Sequence, residues 1–148
     1  MHAKDLMTRD PRVVTPGEPL THAAEIMRDL DVGAVPVVDD RAGMRLRGVI
    51  TDRDVTVRHV AAAHGPECRV RDHMTPAPVD TVHPDDSAVE VMRRMKGGKV
   101  RRIMVADDDG RLRGIIALAD VALHEGEELP VFTSQVLASV SEPRWGRH

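Results

Sequence analysis

One stretch of this chain occurs twice, and a chain that repeats itself is constrained to fold as two like units. Arg47-Gly48-Val49-Ile50-Thr51-Asp52-Arg53-Asp54 returns, altered, as Arg113-Gly114-Ile115-Ile116-Ala117-Leu118-Ala119-Asp120. In each copy a glycine opens a short β-branched run, which signals a buried strand, and the aspartate falls where the first turn of the next helix should begin. The Thr51 hydroxyl and the Asp54 carboxylate are therefore expected together at a helix start. Thr51-x-x-Asp54 reads as a capping box, each side chain satisfying a backbone N–H of the first turn. Free N–H groups at a helix start also attract anions, so the same geometry could serve a phosphate-bearing ligand.

The repeat extends beyond this stretch. Met27 and Met95 align, as do Val32 and Val100, both pairs 68 residues apart. Repeat one opens with Asp5-Leu6-Met7-Thr8 and an extended Arg12-Val13-Val14-Thr15 ended by Pro16. A helix follows, with Leu20, Ala23, Ala24, Met27 and Leu30 as its apolar stripe. Val32 to Val38 is the next strand, with Pro36 placing it at an edge or bulge. Leu46 to Ile50 returns, and a helical pattern runs from Asp54 to about Ala63, stopped by His64-Gly65-Pro66-Glu67.

Repeat two starts over with Asp72-His73-Met74-Thr75. Ser87-x-x-Glu90 caps a helix with the stripe Ala88, Val91, Met92 and Met95, and Gly97-Gly98 is expected to end it. Val100 to Ala106 and Leu112 to Ile116 are strands around the turn Asp107-Asp108-Asp109-Gly110. Each copy reads strand, helix, strand, strand, helix, an α/β unit too small to bury its own sheet face. The expected divisions are 1–66 for repeat one with its linker, 67–124 for repeat two and 125–148 for a C-terminal extension. That extension holds a short helix over Ser134 to Val140 and a frayed tail over Pro143 to His148.

The 148 residues suffice for one globular unit of two intimately packed repeats. Phe132 and Trp145 are the only aromatics, so aliphatic walls would have to hold any ligand base. A net charge of −3 lacks the basic excess of a nucleic-acid binder, and specific nucleic-acid binding is not expected. Cys68 stands alone, which excludes an internal disulfide. No apolar run approaches the roughly eighteen residues of a membrane span, which points to a soluble cytoplasmic protein with no membrane partner.

With these elements in order, twice over, residues 5 to 124 resemble a tandem pair of CBS domains, the Bateman module, of the small stand-alone actinobacterial type. The features that carry the resemblance are the two Met-Thr openings, Gly33-Ala34-Val35-Pro36-Val37-Val38, Val100-Arg101-Arg102-Ile103-Met104-Val105, and the two glycine-led strand ends. It implies two pseudo-symmetric β-α-β-β-α repeats packed through their sheets, no catalysis, and adenosine-containing ligands in clefts between the repeats. By position, cleft one would use Thr51 and Asp54 with Arg101 and Arg102, walled near Pro78, Val79 and Ile103. A second, weaker cleft would use Asp120 with Val13, Val14, Gly33 and Ala34. Ala117 stands where the second hydroxyl belongs, and Gly33-Ala34 bring no cation where repeat two brings Arg101-Arg102. Met104 replaces the usual proline of the second strand.

Other constellations have simpler readings. Arg93, Arg94 and Lys96 fit a solvated helix face with C-terminal cations. Asp107 to Gly110 lacks the acid an EF-hand loop needs at its twelfth position, where Leu118 stands, and is a hairpin turn. The eight histidines form no His-Glu-x-x-His and no paired spacing with cysteine, so no metal site is assigned. His59, His64 and His73 are the ones that could meet through the inter-repeat linker. Cys68 follows His64 by four, but Gly65-Pro66 breaks the helix that would align them, and a thiol nucleophile is not expected. No catalytic residues are assigned.

The sequence thus points to a regulatory module that senses an adenine nucleotide, with AMP or ATP as ligand, no required cofactor and a separate effector protein. The alternative is a structural or stress-associated homodimer that binds no nucleotide and takes a metal instead. A homodimer is expected in either case, from helical faces bearing Met27, Met92 and Met95.

Overall fold

A computed structural model describes residues 1–125. The extension beyond Glu125, with its expected helix and tail and both aromatic residues, lies outside the described residues. The elements are α1 (Ala3–Leu6), β1 (Thr8–Arg9), α2 (Leu20–Leu30), β2 (Ala34–Val38), β3 (Leu46–Thr51), a π-helix (Asp54–Val60), α3 (Val70–His73), β4 (Thr75–Pro76), β5 (Thr81–Val82), α4 (Ala88–Gly98), β6 (Arg102–Ala106), β7 (Leu112–Ala117) and α5 (Leu118–Glu125). The fold class is α/β, as expected.

The chain forms two compact units, and the repeats exchange their opening segments between them. One unit comprises residues 11–79 and 109–112; the other comprises 1–10, 80–108 and the chain from 113. The first unit holds the antiparallel sheet β2-β3-β4, in which Gly48 faces Pro76 and Val49 faces Thr75. The strand that opens repeat two thus completes the sheet of repeat one. The second unit holds the sheet β1-β7-β6-β5, in which Thr8 faces Ile115 and Arg9 faces Gly114.

Two glycines make these exchanges possible. A Cβ on Gly48 would lie 2.2 Å from the Thr75 carbonyl oxygen, and one on Gly114 would lie 2.6 Å from the Thr8 carbonyl oxygen. The glycine that opens each β-branched run is therefore where the exchanged strand crosses most closely.

Each unit has its own core. Val14, Leu20, Ala23, Ile26, Met27, Val35, Val37, Ile50 and Val70 fill the first, and Leu6, Val82, Val91, Met92, Met95, Ile103, Val105 and Ile116 lead the second. At roughly 1.5–3 kcal/mol for each fully buried aliphatic side chain, these clusters are the main stabilising term. The stripe of α2 is shifted from expectation, because Ile26 is buried and Leu30 is 47% exposed. Met92 and Met95 are fully buried and Met27 nearly so, so these methionines are core and cannot supply a face for a second copy.

Gly97 and Gly98 do not cap α4; they are its last helical residues. Lys99 takes the left-handed conformation that follows, at φ 52°, while Val100 N–H donates to the Met95 carbonyl. The same closure ends α2, with Asp31 at φ 53° and Val32 N–H donating to Met27. Where the apolar residue must re-enter the unit sets the helix end, and each non-glycine residue accepts the strained position. No helix among the described residues is long and apolar enough to cross a membrane.

Candidate functional site

β3 ends at Thr51 and the π-helix begins at Asp54, so the three-residue spacing folds into the reciprocal box expected from the sequence. Thr51 N–H donates to Asp54 Oδ2 at 3.0 Å, and Asp54 N–H donates to Thr51 Oγ1 at 3.1 Å. The exchanged strand adds a second donor to the carboxylate, since the Thr75 hydroxyl reaches both Asp54 carboxylate oxygens at 3.4 and 3.3 Å. Arg58 Nε lies 3.5 Å from Asp54 Oδ1, and its guanidinium also donates to the His73 and Met74 carbonyls. Asp54 is 6% exposed, and a carboxylate that far from water is tolerable only with donors of this kind.

Repeat two keeps half of this arrangement. Asp120 Oδ2 accepts the Ala117 N–H at 3.4 Å, and Ala117 has no hydroxyl to return the bond. Arg101 and Arg102 are exposed at the entrance to β6, with the Arg101 carbonyl accepting the Leu118 N–H. Ile103 and Val14, expected as cleft walls, are core side chains at 3% and 0% exposure, and Val13 is buried too. Pro78 and Ala34 are exposed and Val79 half-buried. Gly33 packs against Asp52, whose N–H donates to the Gly33 carbonyl.

A second constellation lies wholly within the first unit. His59 Nδ1 and His64 Nδ1 each stand 3.2 Å from His73 Nε2, and Cys68 Sγ is 3.8 Å from His64 Nδ1. The four ligand atoms all lie within 4.8 Å of one another. The sequence spacing separates Cys68 from His64, because an α-helix broken at Gly65-Pro66 cannot align the two. The structure brings them together differently: the helix is π-wound, His64 N–H donates to the His59 carbonyl five residues back, and the turn returns the chain to Cys68. A wide i to i+5 turn has no signature in a pattern judged against a 3.6-residue period.

Burial, with the His59 and His64 rings beside it, holds the His73 imidazole below its ordinary pKa and therefore neutral at pH 7. Partial burial, with Glu67 and Asp72 nearby, raises the Cys68 thiol above its ordinary pKa. A small cavity beside His59, lined by Leu20, Thr21, Ala24, Val55 and Pro66, measures about 60 Å³. Pockets for drug-sized ligands run to roughly 300–1,000 Å³, so this one does not hold a nucleotide.

The CBS-domain family model matches residues 3–58 and again residues 70–125. This chain belongs to the CBS-domain family, as a tandem pair. It is 40% identical over 122 residues to the uncharacterized protein YlbB of Bacillus subtilis, covering 82% of this chain and 80% of YlbB. It is 34% identical to hypoxic response protein 1 of Mycobacterium tuberculosis, covering 82% and 83% of the two chains. Among solved structures, hypoxic response protein I with two coordinated zinc ions superposes with a TM-score of 0.73 at 34% identity, over 84% of this chain and 98% of that one. CBSX2 of Arabidopsis thaliana in complex with AMP gives 0.71 at 28% identity, over 85% and 96%. The CBS pair of MJ0100, with 5′-methylthioadenosine and S-adenosyl-L-methionine, gives 0.65 at 26% identity, over 85% and 96%.

Proposed function

We propose that this CBS pair is a non-catalytic regulatory module that senses an adenosine-containing nucleotide, with AMP or ATP as the candidate ligand. One observation carries the reading: the buried Asp54 carboxylate is fixed beside the Thr51 hydroxyl at a helix start, in a chain whose structural relatives bind AMP or adenosyl compounds. A carboxylate so oriented suits ribose hydroxyls, and the exposed Arg101 and Arg102 suit phosphate. Pro78 and Val79 complete this set, while Ile103 lies beneath the surface. The weaker set is Asp120 with Val13, Val14, Gly33 and Ala34. The module works in the cytoplasm as a homodimer on a separate effector protein, with no specific nucleic acid and no membrane. A second copy would have to use exposed apolar side chains such as Leu30, Val57 and Val60.

One observation favours the alternative, a structural homodimer without nucleotide. Thr51, Thr75 and Arg58 already occupy the Asp54 carboxylate, as a cap requires. Calorimetric titration of AMP and ATP into the parent and three variants separates the two. If the carboxylate and guanidinium groups bind ligand, Asp54→Ala and Arg102→Ala each weaken binding by roughly 1.5–3 kcal/mol while Asp120→Ala changes little. If Asp54 is only a cap, Asp54→Ala costs about 1 kcal/mol of stability and leaves affinity unchanged after correction for folding. The sensing reading falls if the parent binds neither nucleotide.

A further inference from the structure

We propose that His59, His64, Cys68 and His73 form a closed metal site for zinc or a like divalent ion, with three imidazole nitrogens and one thiolate as ligands. The proposal is independent of nucleotide sensing and uses no residue assigned to it.

The distances fit a tetrahedral ion. Zinc bonds of roughly 2.0–2.1 Å to nitrogen and 2.3 Å to sulfur, arranged tetrahedrally, place neighbouring ligand atoms roughly 3.3–3.7 Å apart. The observed separations of 3.2, 3.2 and 3.8 Å along His59, His73, His64 and Cys68 are close to the edges of such a tetrahedron. The fourfold convergence within 4.8 Å leaves small adjustments to close around an ion.

Without a metal the rings cannot all satisfy one another. His73 Nε2 meets two imidazole nitrogens at hydrogen-bond distance, yet a neutral imidazole nitrogen carries either one proton or one in-plane lone pair. One direction cannot serve two partners well, and His73 is 4% exposed, so water cannot readily make up the difference. A cation placed among the three nitrogens satisfies all of them at once.

The donor chemistry selects the ion. Imidazole with a single thiolate suits zinc, cobalt or nickel and disfavours calcium and magnesium, which take oxygen ligands. Binding takes Cys68 as thiolate, its proton passing to solvent. Four protein ligands leave no open position, so the ion ties the π-helix to α3 and performs no hydrolysis.

The full chain, stripped of metal by chelation and dialysis, is titrated with cobalt and then zinc. The expected result is uptake of one cobalt per chain, with the intense visible bands of a tetrahedral site and a thiolate-to-metal band in the near ultraviolet, both displaced by one zinc. Cys68→Ser should abolish the thiolate band. His64→Ala, at an exposed ligand, should weaken uptake by at least the roughly 10–100-fold lost when only an outer partner of a metal ligand is removed. A His22→Ala, His83→Ala double variant, whose histidines lie outside the cluster, should bind as the parent does. The proposal is overturned if the parent takes up no stoichiometric cobalt or zinc, or if uptake survives both Cys68→Ser and His64→Ala unchanged. Because the readout contains no nucleotide, zinc binding without AMP or ATP binding would remove the sensing reading alone.

Discussion

Replacing Gly48 with alanine tests the strand exchange at its tightest point. The new Cβ would sit 2.2 Å from the Thr75 oxygen, 2.9 Å from Met74 Cε and 3.0 Å from Pro76 Cα, and two of these three are backbone atoms of β4. Comfortable carbon contacts lie at roughly 3.5–4.0 Å, so β4 must move out by more than an ångström. That movement strains the pairing of Gly48 with Pro76 and Val49 with Thr75, and withdraws the Thr75 hydroxyl from Asp54. Overpacking of this kind costs roughly 1–3 kcal/mol. The lost hydrogen bond adds about 0.5–1.5 kcal/mol. A total of roughly 2–4 kcal/mol is a large part of the roughly 5–15 kcal/mol that domains have. It corresponds to a fall of roughly 5–15 °C in melting temperature at this size. Thermal melts by circular dichroism read it directly. Gly97→Ala is the control, since a Cβ there meets nothing within 4 Å and a helical alanine should hold or raise stability by up to about 1 kcal/mol. If Gly48→Ala melts within a degree or two of the parent, the close crossing is not what selects glycine, and the argument made for Gly114 fails with it.

Glu18 carries a pH-dependent contribution. Burial would raise its carboxyl pKa, but the Thr15 N–H, Arg41 and His22 outweigh burial and hold it below the ordinary glutamate range. A folded-state pKa below the unfolded one means stability that is present above the unfolded value and lost as pH falls through the folded one. Glu18→Gln should therefore cost about 1 kcal/mol at pH 7, with half-exposed Arg41 limiting the loss, and the gap should vanish in acid; urea melts at several pH values check it. A gap that widens on acidification would reverse the assignment. Met92→Ala, at a fully buried position, should cost roughly 2–5 kcal/mol by denaturant melt, and a loss under 1 kcal/mol would contradict its place in the core.

Hydrophobic periodicity makes the central helices and strands legible, because each is a local pattern that buries its own apolar face, and the three-residue spacing of Thr51 and Asp54 makes their box legible. Neither reveals the exchange, since β1 and β4 are two residues long and pair far along the chain, where no short-range signal reaches. The donor from Thr75 to Asp54 was hidden for the same reason. An α-helical period separates Cys68 from His64, but the turn that joins His59 to His64 is π-wound, and that period does not apply to it. Family resemblance places Ile103 and Val14 in cleft walls, whereas both side chains pack into the cores, Ile103 on the inward face of β6 and Val14 in an isolated bridge beside Val37.

The exchanged openings also impose an order on synthesis. The sheet β2-β3-β4 has all its strands once residue 76 has emerged, so the unit around Asp54 and the histidine cluster can begin to close while the second repeat is still being made. Strand β1 has no such opportunity, because Thr8 and Arg9 pair with Ile115 and Gly114. At roughly 5–20 residues per second of translation, β1 waits roughly five to twenty seconds for its neighbour. Until Val82, Val91 and Met92 of its cluster have emerged, Leu6, later a core residue, must stay in solution or in the keeping of a chaperone.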